Sequence, residues 1–92
     1  MTIEQEKALS QLRDRLEREK WPQRYAFKFI MPNDAGTIKQ VQEILPRDGQ
    51  RNERLSQNGK YVALTHISVV PTAEIVTRIT GKAMEVKGVM VL

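Results

Sequence analysis

The sequence predicts an α+β domain that combines helices with a four-stranded antiparallel sheet. Apolar residues recur with a period of two in some segments and at helical spacing in others. Proline, glycine and an Asn-Gly pair separate these segments. The chain has 92 residues, of which 40% are hydrophobic and 28% are charged. This is the size and composition of one globular domain with a modest core.

The first 20 residues predict an N-terminal helix from Ile3 to about Glu19. Its narrow apolar stripe consists of Leu9, Leu12 and Leu16. Pro22 is expected to end this helix, because a proline disfavours helical backbone at the residue before it. An isolated helix of this length is marginal in water. The stripe is therefore expected to pack on the domain, to cover its sheet, or to contact a second subunit. We divide the chain into the N-terminal helix, 1–20, and the remaining domain, 21–92.

The first predicted strand has two different faces. Tyr25, Phe27, Phe29 and Met31 alternate with Arg24, Ala26, Lys28 and Ile30. The aromatic side is the more apolar, so we expect helices to cover it. Asn33 or Asp34 then caps a helix that Pro46 and Gly49 stop. Its apolar residues are Ile38, Val41, Ile44 and Leu45.

A hairpin is predicted next, with an edge strand at 51–57 and a partner strand at 60–70. Asn58-Gly59 favours a type I′ turn, in which both central residues need positive φ. In the partner strand Val62 and Leu64 share one face, whereas Ile67 and Val69 share the other. We predict a β-bulge near Thr65 and His66, which would place all four on the same side.

The last predicted helix opens at Pro71-Thr72, and Gly81 marks its end. Its apolar face consists of Ile75, Val76 and Ile79. The segment "EVKGVMVL" then predicts a final strand. After the N-terminal helix the order is β-α-β-β-α-β. This order predicts a ferredoxin-like sandwich, in which two helices cover one face of an antiparallel four-stranded sheet.

Three segments also carry a resemblance to a known family. They are "WPQRYAFKFI", "NGKYVALTHISV" and the terminal "VMVL". Together, over about residues 20–92, they resemble the YbeD-like family of small bacterial domains of unknown function. The resemblance implies a ferredoxin-like fold, a similarity to ACT-like regulatory domains that bind amino acids or pair enzyme subunits, and no known reaction. It does not cover the N-terminal 19 residues, and at His66 the family pattern favours an aliphatic residue.

The sequence contains no recognisable catalytic or metal-binding constellation. There are no cysteines, the single imidazole is His66 within a strand, and the acidic residues show no paired spacing. The glycines form no phosphate-binding loop. We therefore expect a non-catalytic protein with no cofactor and no metal. The alternating charges at the N-terminus do not resemble a signal peptide, and no apolar run approaches the roughly 20 residues of a membrane span. A cytoplasmic protein is expected.

Three functional interpretations remain open, and interaction or regulation is favoured over catalysis. In the first, Lys28, Ile30, Val89 and Val91 form a partly apolar open face for a protein partner or a second copy. In the second, the loop at 32–37 binds a small amino-acid-type ligand at a helix N-terminus through Asn33, Asp34, Gly36 and Thr37. The same residues can equally be a helix cap and nothing more. RNA binding is the least favoured, because base stacking needs aromatic rings on the open face.

Overall fold

The computed structural model describes all 92 residues and contains three helices and a four-stranded antiparallel sheet. The elements are α1 (Ile3–Glu17), β1 (Gln23–Pro32), α2 (Ala35–Ile44), β2 (Gln50–Leu55), β3 (Tyr61–Val70), α3 (Ala73–Met84) and β4 (Met90–Val91). The strand order is β2-β3-β1-β4, and all neighbouring strands are antiparallel. The α+β class is confirmed, and the arrangement is compatible with the expected ferredoxin-like sandwich.

Each helix begins at a side chain that caps its free N–H groups. Thr2 and Gln5 form a reciprocal capping box at α1, and Thr72 accepts a hydrogen bond from the Ile75 amide at α3. At α2 the cap is Asp34, not Asn33. α1 ends at Glu17, so Pro22 lies beyond the helix and does not end it directly.

The core lies between the helices and one face of the sheet. Phe27 and Phe29 on β1 are each 1% exposed, and they share a cluster with residues of β3 and all three helices. Tyr25 packs on Phe27 edge to face, with ring centroids 4.9 Å apart. The prediction that the aromatic side of β1 faces the helices is confirmed.

α1 packs against α3 and not against the open side of the sheet. Leu16 is 2% exposed within the common core cluster, and the Trp21 indole N–H donates to its carbonyl over 2.9 Å. Gly81 lies within α3 opposite Leu9, whose Cδ2 is 3.0 Å from the place where a Cβ would stand. The prediction that Gly81 ends the helix is therefore wrong, because this glycine admits α1 and α3 continues to Met84.

The predicted β-bulge in β3 is also wrong. β3 pairs with β1 along its whole length and with β2 over residues 62–67, without a change of register in either pairing. Val62 and Leu64 are buried, while Ile67 and Val69 lie on the opposite face. Strict alternation is kept because His66 and Ser68 occupy the intervening buried positions.

The β2–β3 hairpin is confirmed, but its turn type is not I′. The Gly59 N–H donates to the Ser56 carbonyl over 3.0 Å, and Gly59 has a φ of 72°. Asn58 does not have a positive φ, as the type I′ prediction required. Its Oδ1 instead accepts hydrogen bonds from the Lys60 N–H and the Ser56 hydroxyl, which holds the turn one residue earlier than predicted.

Candidate functional site: the open face of the sheet

All three helices leave one face of the sheet uncovered, and we call this surface the open face. Because directly paired residues of antiparallel strands point to the same side, the register defines its members. They are Arg24, Ala26, Lys28, Ile30 and Pro32 of β1, Gln50, Asn52 and Arg54 of β2, Tyr61, Ala63, Thr65, Ile67 and Val69 of β3, and Met90 of β4. The predicted site residues Lys28 and Ile30 lie on this face, with Lys28 exposed and Ile30 half-buried.

The open face carries three basic side chains and no acidic one. Arg24 and Lys28 lie on β1, and Arg54 lies on β2. The only acidic residue in any of the four strands is Glu53, which points to the helical side. There its Oε2 accepts a hydrogen bond of 2.6 Å from Gln42 of α2. The positive potential of this face is therefore not offset by a carboxylate side chain within it.

A shallow recess of about 310 Å³ lies at the end of the open face that adjoins the hairpin turn. Its walls are Ile30, Arg54, Leu55, Ser56, Tyr61 and Ala63. Four of these six residues are hydrophobic, and the volume is at the lower end of the range for small-molecule pockets. The lining of the recess is thus mostly apolar and includes one guanidinium group and one phenol.

The placement of Val89 and Val91 on the open face is corrected by the register of β4. Val91 pairs with Phe29 and so faces the helical side, and Val89 packs against the core cluster. Met90 pairs with Ile30 and is the β4 residue on the open face, 57% exposed. A shift of one residue in a strand exchanges its two faces, and a two-residue strand gives too short a pattern to set that phase.

Sequence reasoning also missed Arg54 and Tyr61 as members of this site. Tyr61 is 49% exposed, whereas the aromatic rings of β1 are turned inward. The available signal was the alternation of β3, in which Tyr61 follows the phase opposite to the buried Val62 and Leu64. The predicted bulge obscured that phase.

The loop at 32–37 brings its four predicted residues together, but its polar side chains bond to one another or to the hairpin turn. Asp34 Oδ2 accepts from the Thr37 N–H and hydroxyl over 2.9 and 3.0 Å. These bonds hold the pKa of the Asp34 carboxyl below its usual value. Asn33 donates through Nδ2 to the Gly59 carbonyl, and Gly36 lies in the first turn of α2 with ordinary backbone geometry. The arrangement caps the helix and ties it to the hairpin.

His66 lies inside the helical side of the sheet, 2% exposed. Its Nδ1 accepts from Arg51 Nε at 3.3 Å, and its Nε2 lies 2.9 Å from the Asp48 carbonyl oxygen. A neutral ring with the proton on Nε2 satisfies both contacts. Burial, reinforced by the nearby Arg51 charge, lowers the pKa of His66. Both ring nitrogens therefore contact groups at or just before β2, and these contacts tie that strand to β3.

The remaining surface offers less organised chemistry. A larger recess of about 620 Å³ lies beside the end of α2, between Gln42, Glu43, Leu45, Arg47 and Arg51, and is mostly polar with charges of both signs. The structure contains no group of three or more His, Asp or Glu side chains that could hold a metal ion. None of its helices combines the length and apolarity needed to cross a membrane.

Comparison of the chain with protein-family models, with curated proteins and with solved structures gave no match. The open face and its chemistry are therefore the basis for a functional assignment.

Proposed function

We propose that the protein is a non-catalytic, cytoplasmic interaction module of ferredoxin-like, ACT-like architecture that binds a protein partner through the open face. The observation that carries the proposal is an uncovered sheet face on which apolar side chains and three basic residues occur without any acid. Extended exposed surfaces that mix apolar and like-charged groups are typical of partner sites.

The positive charge of the open face indicates what kind of partner it would bind. Two copies meeting face to face would bring together Arg24, Lys28 and Arg54 from each, six positive groups with no negative counterpart. Like charges in one interface oppose association. A partner with carboxylates around an apolar anchor fits better, since the anchor would enter the recess beside Tyr61 and the carboxylates would meet the arginines and the lysine.

The rings of the sheet argue against base stacking as the main mode of binding. Phe27 and Phe29 are buried beneath the helices, and Tyr61 is the single aromatic residue on the open face. RNA-recognition sheets present two or three stacking rings on that side. Single-stranded RNA is nevertheless a polyanion, so the experiment must distinguish it from an acidic protein.

Charge reversal on the open face tests this proposal. The full chain would be immobilised as wild type, as the double variant Lys28→Glu, Arg54→Glu, and as the control variant Arg13→Glu, whose change lies on the exposed side of α1. Each would be incubated with native cell lysate with and without nuclease, and bound proteins would be cross-linked and mapped. Circular dichroism and denaturant unfolding would confirm that all three are folded.

We expect wild type and Arg13→Glu to retain the same protein in equal amounts. The double variant should retain at least ten-fold less of it. This protein should cross-link to the open face through an acidic segment. Loss of binding after nuclease treatment would replace the proposal with RNA binding. Equal retention by the double variant would overturn it. Deletion of residues 1–19 is unsuitable for this purpose, because it removes Leu16 from the core.

A further inference from the structure

Strand β1 is only partly paired on its β4 side. It pairs with β3 over all ten of its residues, but with β4 only at Phe29 and Ile30. One further bond joins the Leu92 N–H to the Lys28 carbonyl over 3.0 Å. The segment Arg24–Phe27 therefore has no strand beside it on that edge, although it belongs to a central strand of the sheet. We call the unpaired edge of this segment, on its β4 side, the half-edge.

The backbone groups at this edge can be identified from the alternation of the strand. The N–H and C=O of one residue point to the same edge, and successive residues alternate between edges. Because the Lys28 carbonyl points towards β4, the N–H and C=O groups of Ala26 and Arg24 also do. Neither residue has a backbone hydrogen bond on that side, and both are exposed. Four strong hydrogen-bonding groups thus form a short open template for another strand.

The outer edge of β2 is also unpaired, but its chemistry differs. β2 reads Gln-Arg-Asn-Glu-Arg-Leu, and mixed charges of this kind commonly protect an edge from pairing. The β1 half-edge instead carries Arg24 and Lys28 on either side of the small Ala26, all on the open face. Two such half-edges paired with each other would oppose their basic side chains, which disfavours a second copy as the occupant.

We propose that an extended acidic segment of the partner protein adds to this half-edge as a strand, antiparallel to β1 and end to end with β4. Its backbone would complete the bonds of Ala26 and Arg24. The residues opposite these two would face the open side as Glu or Asp. One would lie directly opposite Arg24, and the other would lie diagonal to both Arg24 and Lys28. The alternate residues would be apolar and lie beside Tyr25 and Phe27. The expected segment alternates apolar and acidic residues over four or five positions.

This inference deepens the proposed function by naming the partner segment, and it rests on that function for the partner's existence. The two can fail separately. Arg54 lines the recess and is separated from the half-edge by β3, whereas Ala26 is at the half-edge and does not line the recess. Variants at these two positions therefore report on different contacts.

The test follows the Arg24 and Ala26 amides of the full chain by NMR hydrogen exchange. The probe is the capped peptide Thr-Val-Glu-Val-Glu-Val-Thr, and the matched control peptide has Lys in place of both Glu. We expect the acidic peptide to slow exchange at both amides at least ten-fold at saturation, and the Lys peptide to bind at least ten-fold more weakly. Binding of the acidic peptide should also weaken as the salt concentration rises.

Ala26→Pro removes one donor from the half-edge while leaving the β3 side intact, since proline is tolerated where an edge N–H is unbonded. We expect this variant to lose the acidic peptide and Arg54→Glu to keep it. If Ala26→Pro does not fold, amide protection in the wild-type chain decides alone.

Four results would overturn strand addition. They are no added protection of the two amides with the acidic peptide, equal protection with the Lys peptide, protection that grows with protein concentration alone, and stronger protection by an octauridylate. Undiminished binding of the lysate partner to a folded Ala26→Pro variant would also overturn it. That last result would leave docking on the open face standing.

Discussion

The two faces of the sheet belong to the same four strands, yet they have opposite chemistry. The helical side holds Phe27, Phe29 and Leu64 in a closed core. The open face alternates with these residues and presents Tyr61, Met90 and several small or β-branched side chains among Arg24, Lys28 and Arg54. The helical side is stabilised by hydrophobic burial, whereas the open face is solvated and positively charged.

This difference shows which substitutions should affect folding and which should affect binding. A side chain removed from the helical side leaves a cavity in a close-packed region, which lowers the free energy of unfolding. A side chain exchanged on the open face changes the surface offered to the proposed partner and leaves the core intact. Neighbouring residues of one strand can therefore be used as matched pairs.

The largest effect is expected for Phe27→Ala paired with Lys28→Ala. Removal of the buried ring should lower the free energy of unfolding by about 3–5 kcal/mol, whereas loss of the exposed lysine should change it by less than about 0.5 kcal/mol. Urea unfolding followed by circular dichroism measures both. Similar values for the two variants would contradict the distinction between the faces.

The next effect concerns the contribution of α1 to the closed side. Leu16→Ala should destabilise the protein by about 2–5 kcal/mol, because Leu16 is buried in the common core. Ile3→Ala is the control on the same helix, since Ile3 is largely exposed, and should change stability by less than about 0.5 kcal/mol. If Leu16→Ala unfolds at the wild-type urea concentration, α1 is not part of the core.

The smallest effect is a pH dependence of stability, which should come from His66 on the helical side and not from the open face. The pKa of His66 is lower in the folded protein than its ordinary value of 6.5, because burial opposes protonation. As the pH falls through 6.5, the unfolded chain binds this proton before the folded chain does. The contribution of neutral His66 to stability is therefore complete above that pH and is lost as the pH falls through the lower folded pKa.

Urea unfolding of wild type, His66→Gln and the open-face control Lys28→Gln between pH 7.5 and 5 measures this dependence. We expect the free energy of unfolding to decrease as the pH is lowered in wild type and in Lys28→Gln. In His66→Gln it should decrease less steeply. Parallel curves for wild type and His66→Gln would assign the dependence to other groups.

Much of the fold was predictable because its signals are local. The alternation of β1 indicated which side the helices cover, and the Asn58-Gly59 pair indicated a hairpin. The bulge at β3 was wrongly predicted because the phase of a strand was inferred from apolar residues alone. The buried positions of His66 and Ser68 follow from their pairing with Phe27 and Tyr25 of β1, which no single segment encodes.

The candidate site was predictable only in part for the same reason. Lys28 and Ile30 were placed on the open face because their strand is long and strongly alternating. Arg54, Tyr61 and Met90 required the register of three other strands. The loop at Asp34 carried a helix-capping signal in the sequence, and its hydrogen bonds to Thr37 are those of a cap.

The amino-acid sequence by itself determined the elements, their order and the inward direction of the β1 aromatics, because period, caps and turn residues act over a few neighbouring positions. Only the tertiary structure decided that α1 shares the core with α3, that the open face has no carboxylate side chain, and that Arg24–Phe27 has no strand beside it on the β4 side. These properties depend on which strands and helices become neighbours, and that choice is made by the packing of the whole chain.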